Sequence, residues 1–324
     1  AQYRQARAAA QLARAGFSPT LGTGLSVSRV HTQAKGISAT TDSNALMLDA
    51  SWEPDIWGHV RRSVEAGEAA AQASAADLAA ARLSIQAELV QDYLQLRITD
   101  AQKDLLLHTT EEYRKALALT RSQYTAGIVT RANVALAETQ LHSTSAQLID
   151  LDVQRTQLEH AIAILTGRAP AELSIAARPS DALGLKLPEI PAGLPSQLLE
   201  RRPDIAAAER RTAVANATIG VAQSAYFPNL LLSASAGGSS ARFAELLDAP
   251  GRTWSLGAAL AATIFDGGAR RAQTDEAVAA FDVAVAQYKR TVLTSLQEVE
   301  DNLAALRILD EERTVLEAAV AAAR

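Results

Sequence analysis

Side chains able to do chemistry are few in this chain, and they do not gather. The 324 residues hold five histidines (His31, His59, His108, His142, His160) and no cysteine. The histidines show no metal-ligand spacing, so surface positions are expected for them. Without cysteine there are no disulfides, thiolate nucleophiles or Cys-ligated metals. No Gly-rich phosphate loop and no Ser/His/Asp grouping suggests catalysis, so neither an enzyme nor a cofactor is expected. What remains is the chemistry of contact. In RSQYTAGIVTRANV (121–134), Gly127 permits a tight reversal, and Ile128 would stand at the turn as an apolar anchor in search of a groove. Paired arginines recur as Arg61–Arg62 and Arg270–Arg271, and Trp52, Trp57, Trp254 and Phe265 bracket two alternating segments.

The elements that must carry these residues are unusually long. From Gly58 to Gly167 there is no proline, and after Gly67 the only interior glycine is Gly127. Ala, Leu, Gln, Glu and Arg dominate, the residues that lose least on entering a helix. The span predicts one helix out, a turn at Gly127 and a second helix back. The outgoing arm would be roughly 100 Å long at about 1.5 Å per residue. On the return arm Val134, Leu141, Leu148, Arg155, Ile162 and Ala137, Thr144, Leu151, Leu158, Leu165 form two seven-residue registers, weakened at Arg155 and Thr144.

Residues 19–30 alternate Leu21, Thr23, Leu25, Val27 against Gly22, Gly24, Ser26, Ser28, a strand pattern with one apolar and one small, polar face. Residues 31–44 read as a polar loop, and Leu46, Leu48, Ala50 and Trp52 as a second strand. The order then recurs. Leu230, Leu232, Ala234 and Ala236 alternate after a helix end, and Trp254, Leu256, Leu260 and Ile264 share a face after a loop at 238–252. Pro19 and Pro228, Arg61 and Arg270, Val90 and Val299 all differ by 209, while Leu48 and Leu256 differ by 208; the extra glycine of Gly267–Gly268 reconciles the offsets. An internal duplication follows.

The expected organisation is a helix end at 1–16, a β-hairpin at 17–57 and a long helical hairpin at 58–167 with its tip near 127. A proline-bearing irregular connector at 168–202 and a helix at 203–226 come next. A second β-hairpin at 227–266 then leads into a second helical hairpin, 267–324, that stops before its tip. The chain begins and ends within helical sequence, so a fragment of a longer protein is expected.

Composition narrows the partners. The chain is 48% hydrophobic but only 4% aromatic, which favours thin helix-on-helix packing over one thick core. A net charge of −5 gives no reason to expect nucleic acid. No run of 18 apolar residues offers a transmembrane helix. The strands do suit a membrane: they are apolar on one face, small or polar on the other, and about ten residues long. Four strands cannot close a barrel, so closure would need several copies. A soluble sandwich and a non-pore structural coiled coil are the alternatives.

SWEPDIWGHVRRSVEAGEAAAQASAADLAAARLSIQAELVQDYLQLR, LLERRPDIAAAERRTAVANATIGVAQSAYFPNL and IFDGGARR resemble the TolC-like outer-membrane efflux family, and within it the NodT/OprM-like branch serving resistance-nodulation-division pumps. The resemblance implies a mainly α fold with a β-barrel part. Three copies would form a twelve-stranded barrel in the outer membrane, continued by a twelve-helix periplasmic tunnel. It implies a multidrug exit duct with a periplasmic adaptor, an inner-membrane transporter and outer-membrane lipid as partners. A duct for type I secretion or metal efflux is the variant reading. Members commonly carry an N-terminal signal and often a lipid-modified cysteine, and neither is in this sequence.

Carried over residue by residue, the resemblance makes Arg121, Tyr124, Ala126, Gly127, Ile128 and Thr130 the adaptor-docking tip. Many relatives have an acidic residue six after that glycine, in links that hold the tunnel closed. Here it is Asn133, a gate-related position without a carboxylate. Arg61, Arg62, Arg270 and Arg271 fall where barrel gives way to helix. There they could line the tunnel, face lipid headgroups or simply open solvated helices. Trp52, Trp57, Trp254 and Phe265 read as membrane-interface aromatics, with packing at the barrel base as the alternative.

Overall fold

The computed structural model describes residues 1–34, 37–178, 201–246, 248 and 251–323. They fall into two compact units, one drawn from Ala1–Ala80 with Gly193–Arg324 and the other from Ala81–Ala192.

In the first unit, α1 (Gln2–Ala15) leads into β1 (Thr20–Ala34) and β2 (Ile37–Trp52), and α2 (His59–Thr125) begins there. The same order returns as α4 (Pro203–Ser224), β3 (Asn229–Ser240), β4 (Arg252–Ala261) and α5 (Ala269–Ala323). Pro203 occupies the first turn of α4, where its missing N–H costs nothing. The helices pack through small residues. Ala69 and Ala73 of α2, Ala207, Ala208 and Ala217 of α4 and Ala277 of α5 are all buried. A Cβ on Gly67 of α2 would meet the Cα of Ala10 on α1 at 3.2 Å. Ion pairs rim these contacts: Arg14 with Glu68 (2.6 Å), Arg211 with Asp77 (2.7 Å) and Arg202 with Glu298 (2.7 Å).

The four strands form one antiparallel sheet in the order β1-β2-β3-β4. Its register carries the sequence alternation across every strand, because residues paired directly opposite share a face. Leu21, Leu25, Leu46, Leu48, Trp52, Leu232, Ala234, Trp254 and Leu256 lie on one side. Gly22, Gly24, Ser51, Asp49, Ser233, Ser235, Ser255 and Gly257 lie on the other.

Two strand assignments are corrected. Residues 31–34 and 37–44 are not loop but the ends of β1 and β2, which reach 15 and 16 residues. Cross-strand chemistry sustains this polar extension: Arg29 is bidentate to Asp42 (2.5 and 2.8 Å), and His31 Nδ1 meets Thr40 Oγ1 at 3.0 Å. Threonines at 32, 40 and 41 also favour extended backbone. Ile264 does not belong to the apolar strand face, since β4 ends at Ala261. The second loop contains a 3-10 turn at Phe243–Glu245, while its residues 247, 249 and 250 lie outside the described residues.

In the second unit α2 runs to Thr125 and α3 (Arg131–Leu165) returns. Both heptad registers of α3 are buried or half-buried throughout, whereas Leu136, Ile149, Val153 and Ile164, outside them, are exposed. The two weak seam positions are used. Thr144 is buried with its hydroxyl returned to Gln140 O (3.0 Å). Arg155 joins a buried ionic cluster that the sequence did not announce.

Asp100 is the centre of that cluster, its side chain 2% exposed. It accepts from Arg97 Nη1 (2.9 Å) and Arg155 Nε (2.8 Å). Both arginines also donate to the chain that follows α3, Arg97 to Ala176 O (2.9 Å) and Arg155 to Ile175 O (2.6 Å). Glu159 completes the cluster, pairing with Arg155 (2.9 Å) and accepting from Ile175 N–H (2.8 Å). Residues 173–178 are thereby fastened to α2 and α3, after a 3-10 turn at Pro170–Glu172. The remainder of the expected connector, 179–200, lies outside the described residues.

With two cations and two anions the cluster is balanced. Asp100→Ala leaves a buried excess of positive charge and costs about 3–5 kcal/mol. The thermal midpoint of the purified protein should fall by several degrees, and amide exchange at 173–178 should accelerate. An unchanged midpoint with unchanged exchange would contradict this role.

Candidate docking tip and strand–helix junction

The tip is built by a Schellman closure. Gly127 adopts φ +72°, its N–H bonds Tyr124 O (2.9 Å) and the next N–H, of Ile128, bonds Gln123 O (2.9 Å). Nothing stands within 4 Å of a Cβ placed on Gly127, so conformation and not crowding selects glycine. In this motif the residue after the glycine commonly packs back on the helix. Here the facing position is Gln123, and Ile128 remains 73% exposed. Tyr124, Ala126 and Thr130 are exposed beside it. Arg121 reaches across the turn to Glu138 of α3 (2.6 Å), which fixes the two helix ends.

Asn133 has a local duty. Its Oδ1 accepts from the N–H (3.2 Å) and the hydroxyl (2.6 Å) of Thr130, while Asn133 N–H bonds Thr130 O (3.1 Å). This is a capping box at the start of α3. Thr130 and Asn133 therefore set where the return helix begins.

At the strand–helix junctions an aspartate opens each helix. Asp55 accepts from the N–H groups of Val60 (2.8 Å) and Arg61 (2.9 Å). Asp266 accepts from the N–H groups of Gly268 (3.0 Å) and Arg270 (3.2 Å) and from Arg270 Nε (2.5 Å). Gly58 (φ +84°) makes the first turn, and Gly267 (φ +62°) and Gly268 (φ +93°) make the second. The four arginines differ in surroundings. Arg270 is four-fifths buried and lies over the Tyr226 ring at 5.5 Å. Arg62 pairs with Glu65 (2.8 Å) and packs on Gly220, where a Cβ would meet its Cγ at 2.8 Å. Arg61 and Arg271 project outward.

The four flagged aromatics also divide. Trp57 stacks on Phe227 (4.9 Å, 11°), and Trp52 donates its indole N–H to Phe17 O (3.1 Å). Trp254 and Phe265 stand free, 76% and 87% exposed. Phe17, Tyr226 and Phe227 belong to the same junction and were missed, though the FPN element and the 209-residue repeat pointed to them. His59 meets Ser224 (2.9 Å) there. Among the described residues no group of His, Cys, Asp or Glu could hold a metal, and no helix is long and apolar enough to cross a membrane.

An antiparallel sheet with one apolar face in one unit, and a long helix ending in an exposed apolar turn in the other, are the features expected of outer-membrane efflux proteins. The chain belongs to the outer membrane efflux protein family, whose sequence model matches residues 1–168 and 194–324. The pyoverdine export outer membrane protein OpmQ of Pseudomonas aeruginosa is 33% identical over 321 residues, covering 96% of this chain and 67% of that protein. The probable efflux pump outer membrane protein TtgC of Pseudomonas putida is 30% identical over 274 residues, covering 84% and 56%. The outer-membrane channel OprN superposes with a TM-score of 0.85 at 33% identity, over 91% of this chain and 67% of that one. The chain thus spans between about half and two thirds of the length of the relatives it matches.

Arg270 and the two backbone donors hold the Asp266 carboxyl down at about 2. That lies below the ordinary carboxylate value of about 4. Its contribution to stability is therefore complete above pH of about 4 and is lost as pH falls through about 2. Asp266→Asn should lower the thermal midpoint at neutral pH, with the difference from wild type narrowing across that window. A difference that stays constant over the same range would locate the effect elsewhere.

Proposed function

We propose that this chain forms part of one subunit of a passive exit duct in the outer membrane, the terminal component of a tripartite efflux pump. Three copies join their four-stranded sheets into one twelve-stranded barrel, with the apolar face to lipid and the small, polar face to the lumen. The helical hairpins continue the wall into the periplasm. The duct performs no catalysis, and a pump in the inner membrane supplies the energy. The repeated helix–strand–strand–helix order supports an internal duplication, which brings a second helical hairpin beside the first.

The observation that carries the reading is the sheet. All four strands keep one apolar face in register, yet among the described residues β1 and β4 each have an unpaired edge. Unpaired backbone in hydrocarbon costs several kcal/mol per group, so a lipid-facing sheet of this kind has to close on copies of itself. Arg121, Tyr124, Ala126, Gly127, Ile128 and Thr130 form the docking tip for a periplasmic adaptor. Asn133 contributes as the cap that orients α3, and not as a charge-based latch. Trp254 and Phe265 are the aromatics placed to meet lipid.

Ile128→Asp should lower drug resistance in cells that depend on this duct by about tenfold or more, while trimers still form, because a carboxylate cannot enter an apolar groove unpaired. Gly127→Val should do the same through the left-handed strain it imposes on the turn. Wild-type resistance in both variants would remove the docking role.

A further inference from the structure

On the polar face of the sheet one charge stands alone. Thr20, Gly22, Gly24, Ser26 and Ser28 of β1 share this face with Ser51, Asp49, Met47 and Ala45 of β2. Ser233, Ser235, Ser255 and Gly257 of β3 and β4 continue it. The other charged side chains of the described strands, Arg29, Asp42 and Arg252, fall on the opposite face by register. Asp49 pairs in register with Gly22 and Ser235, is exposed, and makes no hydrogen bond or ion pair among the described residues. The neighbouring hydroxyls are turned to one another, Thr20 to Ser51 (2.9 Å) and Ser235 to Ser255 (2.8 Å).

We propose that Asp49 is a specificity-determining residue that biases the lumen toward cationic solutes. The inference rests on the barrel reading. Twelve strands about 4.8 Å apart and tilted about 40° enclose a wall about 24 Å across. Three Asp49 carboxylates at one level then lie within about 10 Å of the axis, one Debye length at 0.1 M salt. Among the described residues the lining around them is mostly small and carries no compensating cation, so the lumen there has a negative potential. Rings of carboxylates select cations on this principle. Solutes bearing an amine would be enriched at this level, and anions depleted.

The test is the reversal potential of the full-length protein in planar bilayers under a KCl gradient, with Asp49→Asn and Asp49→Glu. Wild type should prefer potassium over chloride, and the preference should weaken between 0.1 and 1 M salt. In Asp49→Asn it should fall by about half or more, while Asp49→Glu keeps it. A reversal potential in Asp49→Asn equal to wild type overturns the inference and leaves the duct intact. Failure of the full-length protein to form trimers overturns the barrel reading, and the inference with it.

Discussion

The two free edges of the sheet constrain everything else. β1 and β4 each offer a row of backbone donors and acceptors with no strand partner among the described residues, and both faces of the sheet are largely open. In water such a sheet would be a template for aggregation. In lipid it would be untenable, because no solvent can satisfy the edge. Among the described residues its apolar face is covered only at one end, where Leu246 lies against Gly238, while α4 and α5 pack on each other through alanines. In the proposed barrel, closure with neighbouring copies would meet the backbone requirement and lipid would meet the apolar face. The long helices inherit the same need: Leu83, Ile85 and Val90 on α2, and Leu309, Leu316 and Val320 on α5, remain exposed.

Charge is distributed by the same logic. At Asp100 the buried charges are balanced, two arginines against two carboxylates, although Arg97 Nε is left without a hydrogen-bond partner among the described residues. Isolated charges would be prohibitive there. At the helix starts, Asp55 and Asp266 meet N–H groups that would otherwise be orphaned. Of the arginines beside them, Arg62 and Arg270 are held locally, whereas Arg61 and Arg271 are exposed. On the small-residue face of the sheet Asp49 has no charged counterpart among the described residues, and that face is the one proposed to meet water.

Much of this was legible in sequence because it depends on period and punctuation. Alternation gave the faces of β1 to β4, seven-residue spacing gave the seam of α3, and Gly127 gave the turn. The features that escaped depend on meetings between distant residues. Arg155 looked like a flaw in an apolar seam because nothing nearby in sequence advertises Asp100, 55 positions earlier. Residues 31–44 looked like a loop because their polar content hid cross-strand pairs such as Arg29 with Asp42, whose value appears only once the register is known. Asn133, a gate-related position by resemblance, also has a local role as part of the cap of α3, which spacing alone did not reveal.

The central claim is that copies of this sheet close into one barrel, and subunit count tests it most directly. Native mass spectrometry of the full-length protein, extracted from outer membranes and released from detergent, should give a single species of three chains. A stable monomer that stays in solution without detergent would contradict the account, since its edges and apolar face would then need no partner.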